Sequence, residues 1–412
     1  MSDRGWTRRQ VLGAGLVGAG VLAVGGVGRS LYTGPTRPWD PAALPRPVFG
    51  LLQADPARYE ELREAGLDAV TLSLTWSSAE PSGPGLDEVY LREIEDRHRR
   101  ARDAGLQVAL GAGLQYPPAW VADLPGSRFV DQDGREWTGG SGDDVVDAVF
   151  NPEVRAAQEG YLQRLGERLS ALEPAGIRVG GLTRGELHYP TGGRDEPRNT
   201  FWAFGPAALT ASPLPGYRPG SGAPDDARVF LDWYLDALAG YGRWQLDVYR
   251  RYFGPEPRLI VLLPSWGVRP GEVDAAVAGG LTGTTPGERR DSLTQGVDWE
   301  RQLPLLREVE GVAVCSTWLD PPDQGADDGF TSPGVYLAGL ARRHRLGVWG
   351  ENTGGNDAAE LRRCGDRVRD LGLEGMFWMG GEDLGEDGNA TLEDYAALVE
   401  RDDWRPPPPS PY

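Results

Sequence analysis

Asp68-Ala69-Val70-Thr71-Leu72-Ser73-Leu74-Thr75-Trp76, then a Pro/Gly stretch, then a helical pattern over residues 86–104, then Leu106-Gln107-Val108-Ala109-Leu110-Gly111 decide the fold. The first and last runs are short, aliphatic and β-branched. The middle one places Leu86, Val89, Tyr90 and Ile94 at helical spacing. Strand, long helix, strand is a parallel crossover unit, and strands covered on both faces read as near-continuous apolar runs.

The same alternation extends in both directions. Residues 47–52 form a first strand, with a helix over 56–66. A helix starting near Pro152 precedes a fourth strand at 177–183. A long helix at 229–253 follows, with Phe230, Trp233, Ala237, Tyr241, Trp244 and Val248 on one face. Residues 258–263, 312–317, 347–349 and 375–379 supply strands five to eight. Eight such units predict an α/β fold, a (β/α)8 TIM barrel with long βα loops, spanning residues 47–404 of the 412.

The flanks read differently. Residues 1–30 carry Arg8-Arg9 before a Gly/Ala/Val/Leu run, the pattern of a twin-arginine export signal or, if uncleaved, an N-terminal anchor. Residues 31–46 are a Pro-rich linker and 405–412 a Pro-rich disordered tail. The protein is therefore expected to be exported, either extracellular or anchored on the outer side. A monomer is expected, touching membrane only through residues 1–30.

Every basic side chain other than His is Arg, and the net charge of −19 argues against nucleic acid or an anionic lipid surface as a partner. Two cysteines, Cys315 and Cys364, are too few for a disulfide scaffold and are read as core residues. His98, His188 and His344 lack ligand spacing, so no metal and no cofactor is expected.

In such a barrel the chemistry sits at the C-terminal ends of the strands. That rule gathers Trp76 and Glu80 after strand two, Tyr116 and Trp120 after three, and Glu186, His188 and Tyr189 after four. It adds Trp266 after five, Trp318 and Asp320 after six, Glu351 and Asn352 after seven, and Trp378, Glu382 and Asp383 around the end of eight. Glu186 in Arg184-Gly185-Glu186-Leu187-His188-Tyr189-Pro190 and Glu351 in Val348-Trp349-Gly350-Glu351-Asn352 are the candidate catalytic pair. Acetal cleavage needs one carboxylic acid and one carboxylate flanking the bond. The aromatic residues, with Glu80, His188 and Asn352, are candidate substrate-binding groups, since pyranose C–H faces pack on rings. Glu80 has a second reading, as the residue that orders the second loop. Packing alone is the alternative for Trp120 and Trp378. Glu382, Asp383 and Asp387 lack the full spacing of a calcium loop and read as a solvated turn.

Gly185-Glu186-Leu187-His188-Tyr189-Pro190 resembles the acid motif of the β-amylases, glycoside hydrolase family 14, and Gly350-Glu351-Asn352 is similar to that family's base motif. Phe230-Leu231-Asp232-Trp233-Tyr234 and the residues after it look like the family's long helix. The resemblance implies an inverting hydrolase of oligo- or polysaccharides, with Glu186 as general acid and Glu351 activating water. Ser73 stands where that family has an Asp, and the loop after strand three lacks its Cys-Gly-Gly segment. Thr75-Trp76-Ser77-Ser78-Ala79-Glu80-Pro81, Pro117-Pro118-Ala119-Trp120 and Asp131-Gln132-Asp133-Gly134-Arg135 look instead like family 42 β-galactosidases. That resemblance implies a retaining enzyme with Glu351 as nucleophile, although Gly185 replaces its Asn. The two schemes differ in carboxyl separation, about 6.5–9.5 Å for inversion and about 5–5.5 Å for retention. A catalytically idle glycan-binding barrel is the reading from another class; it needs the aromatic rim and no opposed carboxylates.

Overall fold

The computed structural model describes residues 46–139, 144–191, 199–283, 292–323, 331–380, 384–386 and 388–404. The expected export segment, nearly all of the linker, the C-terminal tail, and Glu382, Asp383 and Asp387 lie outside them. The strands β1 (Val48–Leu51), β2 (Ala69–Ser73), β3 (Gln107–Gly111), β4 (Gly176–Val179), β5 (Arg258–Leu263), β6 (Val312–Ser316), β7 (Gly347–Glu351) and β8 (Gly375–Trp378) close into one parallel barrel in sequence order. β8 returns to β1 with Val48 opposite Gly375. The expected TIM barrel is therefore the observed fold.

Side-chain alternation splits the strand residues into two apolar populations. Val70, Leu72, Val108, Leu110, Ile177, Val179, Val348 and Met376 point outward and pack under the helices. Ala69, Ala109, Ile260, Leu262, Ala313, Cys315, Trp349 and Phe377 fill the barrel itself. Half of these interior residues are small, and Trp349 stacks on Phe377 at 5.3 Å among them. Truncating such a fully buried Trp costs about 3–5 kcal/mol.

Below that stack, at the N-terminal end, Arg258 and Glu374 form a forked ion pair. Arg258 Nε lies 3.1 Å from Oε2, and Nη2 binds Oε1. Trp349 Nε1 donates to the same carboxylate at 2.9 Å. A Cβ on Gly347 would fall inside this pair, so only glycine fits there.

The helices form where caps and periodicity place them. Asn151 caps Pro152–Leu169 by accepting from Glu153 N at 2.9 Å, with Pro at the first helical position. The long helix runs from Pro224 to Phe253 and buries Phe230, Leu231, Tyr234, Leu235, Leu238, Tyr241, Leu246 and Tyr249. The buried stripe is rotated from the expected one: Trp233, Ala237 and Trp244 are only partly covered. At about 100° per residue Trp233, Ala237 and Trp244 lie at one edge of the buried arc, whereas Tyr241 and Val248 of the same series lie within it.

Candidate active site

The acid candidate is built by a tight turn after β4. Gly181 N donates to Gly185 O at 3.0 Å, and Leu182 N to Glu186 O at 3.1 Å, which folds the chain back on itself. Gly185 sits at φ 80°, and a Cβ there would press on the Gln115 amide at 3.0 Å, so this position requires glycine. Leu187 N then bonds Leu262 O of β5 at 3.0 Å, while the Leu187 side chain is buried. The chain is thereby pinned on both sides of Glu186, whose side chain keeps 13% of its surface open.

Glu351 reaches the site by another route. It is the last residue of β7 rather than a loop residue, and it shares inward parity with Gly347 and Trp349. It is 5% exposed. Arg178, inward on β4 between outward Ile177 and Val179, forks onto it: Nη2 lies 3.2 Å from Oε2, and Nη1 binds Oε1. Cys315 Sγ on β6 lies 3.6 Å from Oε1. Burial raises the Glu351 pKa above the ordinary carboxylate value, Arg178 opposes that rise, and the charge of Glu186 adds to it. For Arg178 burial opposes the charged form, yet pairing with Glu351 prevails and its pKa is raised. The Cys315 thiol is pushed up, chiefly by burial and then by Glu351. Glu186, Arg178, Cys315 and Glu351 thus feel one another across the mouth of the barrel.

Beside them opens a cleft of about 390 Å³, counted to its solvent opening, walled by Ser73, Gly111, Gln115, Arg178, Gly185 and Leu262 among others. Its walls include Arg178 and Gly185, the neighbours of the two carboxylates, rather than the carboxylates themselves.

Most of the expected rim does not line this opening. Trp76 has no exposed surface; it stacks on Tyr161 at 5.1 Å and donates Nε1 to Glu80 Oε2 at 3.0 Å. Glu80 is equally buried. It accepts from Arg164 Nε at 2.6 Å and from Gly85 N at 3.2 Å, so it orders the second loop and does not reach the cleft. Trp120 is half-buried, edge-on to Trp76, with Nε1 bonded to Glu80 O at 3.1 Å. Tyr189 is fully buried, stacked on Tyr234 at 4.2 Å with its hydroxyl on Tyr234 O. Trp266 is 1% exposed. Trp378 has the wrong parity: Phe377 takes the inward position of β8, and Trp378 packs outward under the helices.

Asn352 is 2% exposed and spends its amide on the backbone, accepting from Met379 N at 2.6 Å and donating to Gly355 O at 2.9 Å. It joins the loops after β7 and β8. Asp320 does the same between loops six and seven, accepting from Thr353 N at 2.6 Å. His188 is buried at 2% exposure behind Glu186, 3.3 Å from its Oε2, and does not face the cleft. Tyr116 and Trp318 remain as half-buried rings on loops three and six.

Arg178 is not among the residues singled out from the sequence, and Cys315 is read there only as a core residue. For Arg178 the signal exists: a charged residue between Ile177 and Val179 in a strand buried on both faces must point into the barrel.

No family model matches the chain, and no curated protein matches it by sequence. Solved structures do match in fold. The catalytic domain of a β-amylase from Paenibacillus polymyxa is 14% identical, with 85% of this chain and 97% of that one covered and a TM-score of 0.65. A β-galactosidase from the psychrophilic Marinomonas ef1 is 15% identical, covering 85% and 58%, with a TM-score of 0.58. A β-galactosidase from the Antarctic haloarchaeon Halorubrum lacusprofundi is 16% identical, covering 85% and 57%, with a TM-score of 0.53. The chain is thus similar to nearly the whole of the β-amylase domain and to somewhat over half of each β-galactosidase. At these identities the shared property is the barrel.

Proposed function

We propose that this chain is an exported O-glycosyl hydrolase of oligo- or polysaccharides, in which Glu186 protonates the leaving oxygen and Glu351 acts from the other side of the bond. The observation that carries this reading is the pair of carboxylates from β4 and β7, close enough to couple electrically beside an open cleft. Burial raises the Glu351 pKa above the ordinary carboxylate value, and the Arg178 fork fixes its direction. In the β-amylase-like, inverting form, Glu351 takes a proton from water, that water attacks the anomeric carbon, and the glycosidic oxygen leaves with the C–O electron pair and the proton of Glu186. The likeness of Gly185-Glu186-Leu187 and Gly350-Glu351-Asn352 to the β-amylase motifs, with Gly185 where the β-galactosidase motif has Asn, supports this form over the retaining one. A binding-only barrel is disfavoured, because Trp76, Tyr189, Trp266 and Trp378 offer a ligand almost no ring surface.

Maltooligosaccharides and aryl β-galactosides, assayed side by side with anomer analysis, test the proposal. A first-formed product of opposite anomeric configuration supports inversion, and the same configuration supports retention. Glu186→Gln should lower turnover about 10²–10⁴-fold. Turnover unchanged in the folded variant would remove Glu186 from its role.

A further inference from the structure

His188 holds a position that the two-carboxylate scheme does not use. Its Nδ1 lies 2.7 Å from the carbonyl oxygen of Tyr189, an atom that can only accept, so the ring carries its proton on Nδ1. The other nitrogen, Nε2, is buried, has no hydrogen-bond partner among the described residues, and lies 3.3 Å from Glu186 Oε2. The contact is close but not aligned as a hydrogen bond, as is common before a substrate closes a site. With Nδ1 committed, a neutral ring shows Oε2 a lone pair. An ionised Oε2 shows it another, and two lone pairs at that distance repel. One proton between them turns the repulsion into a bond.

We propose that Glu186 and His188 hold a proton in common, Oε2–H···Nε2, and that His188 is the positioning residue that keeps the acid loaded. Only the catalytic half of this inference rests on the hydrolase reading. Arg178 from β4, Cys315 from β6 and Glu351 from β7 are among the charged or titratable groups that interact with Glu186. The Tyr189 hydroxyl faces away, toward Tyr234 O. The ring is 2% exposed, so bulk water does not compete for Nε2, while the Glu186 side chain keeps its 13% opening. When a glycosidic oxygen arrives, the Oε2–H group turns from Nε2 toward it, and the Oε2–H bond breaks as the new O–H bond forms. The leaving oxygen takes the C–O electron pair, and the carboxylate regains a proton from solvent water.

The chain has three histidines, and His98 and His344 lie on or at the end of outer helices, so the full-length protein labelled with 15N-histidine gives a readable imidazole spectrum. His188→Gln assigns the resonances. The expected spectrum has a protonated Nδ1, with Nε2 between its bare and protonated values. Glu186→Gln should move Nε2 to the bare value and leave Nδ1 unchanged. A proton on Nε2 with a bare Nδ1, or an Nε2 signal identical in wild type and Glu186→Gln, would overturn the proposal. This readout needs no turnover, so a failure of the hydrolase reading would leave it standing. In kinetics, His188→Gln should lower turnover about tenfold or more on glycosides with poorly acidic leaving groups, and far less on those of strongly acidic phenols. Equal losses on both would reduce the ring to a structural part.

Discussion

Two arginine–glutamate forks share the inside of one barrel, Arg258–Glu374 at the N-terminal end and Arg178–Glu351 at the C-terminal end. Chemically they are the same pair, and both glutamates are almost completely buried, at 4% and 5% exposure. Their surroundings differ. The lower carboxylate is also bonded by Trp349 Nε1 and closed over by Gly347. The upper one has a thiol at 3.6 Å, feels a second carboxylate, and its arginine forms part of the wall of a cleft. A buried ion pair is therefore no sign of function by itself. What marks the upper pair as the candidate for function is the end of the barrel it occupies and what is left open beside it.

Exchanging each glutamate for its amide is the strongest way to break this comparison. Glu351→Gln should lower turnover about 10²–10⁴-fold. Glu374→Gln should instead cost about 3–5 kcal/mol in denaturant unfolding, since it leaves a buried guanidinium without its counter-charge, and should keep turnover per folded molecule. If Glu374→Gln abolished activity in folded protein, the assignment of the two ends would be wrong. A smaller effect is expected from Gly347→Ala, whose methyl group would push into the lower fork and cost about 1–3 kcal/mol in thermal or denaturant melts, without altering substrate affinity.

Asp147 sharpens the comparison by showing a buried carboxylate without a fork. Its carboxylate accepts from Phe150 N at 2.8 Å, while the nearby Arg155 guanidinium bonds the Ala148 and Val149 carbonyls instead. Burial lifts its pKa from 3.8 to about 7. The folded state then binds this proton more tightly than the unfolded chain does. The associated stability is full below about pH 4 and is lost as pH rises through about 7. Unfolding free energies measured across that window should fall with pH, and Asp147→Asn should flatten the slope.

The barrel was legible because each strand is buried on both faces, and runs such as Arg258–Leu263 admit no other placement. The acid candidate was legible through Gly185, whose conformation ties glycine to the turn that presents Glu186. The aromatic rim was not. Position after a strand says nothing about which way a ring turns, and Trp378 and Phe377 differ only in parity. Tyr189 is claimed by Tyr234, 45 residues away on the long helix, a contact that no local pattern encodes. Arg178 was readable from the alternation of β4, yet its partner on β7 was not, because the pairing spans 173 positions.

Leu187 is hydrogen-bonded to Leu262, so Glu186 travels with the fifth strand as much as with the fourth, which precedes it. Anyone transplanting this candidate acid into another scaffold would have to move both strands as a single cassette. A graft of the turn alone would deliver the right side chain to the wrong place.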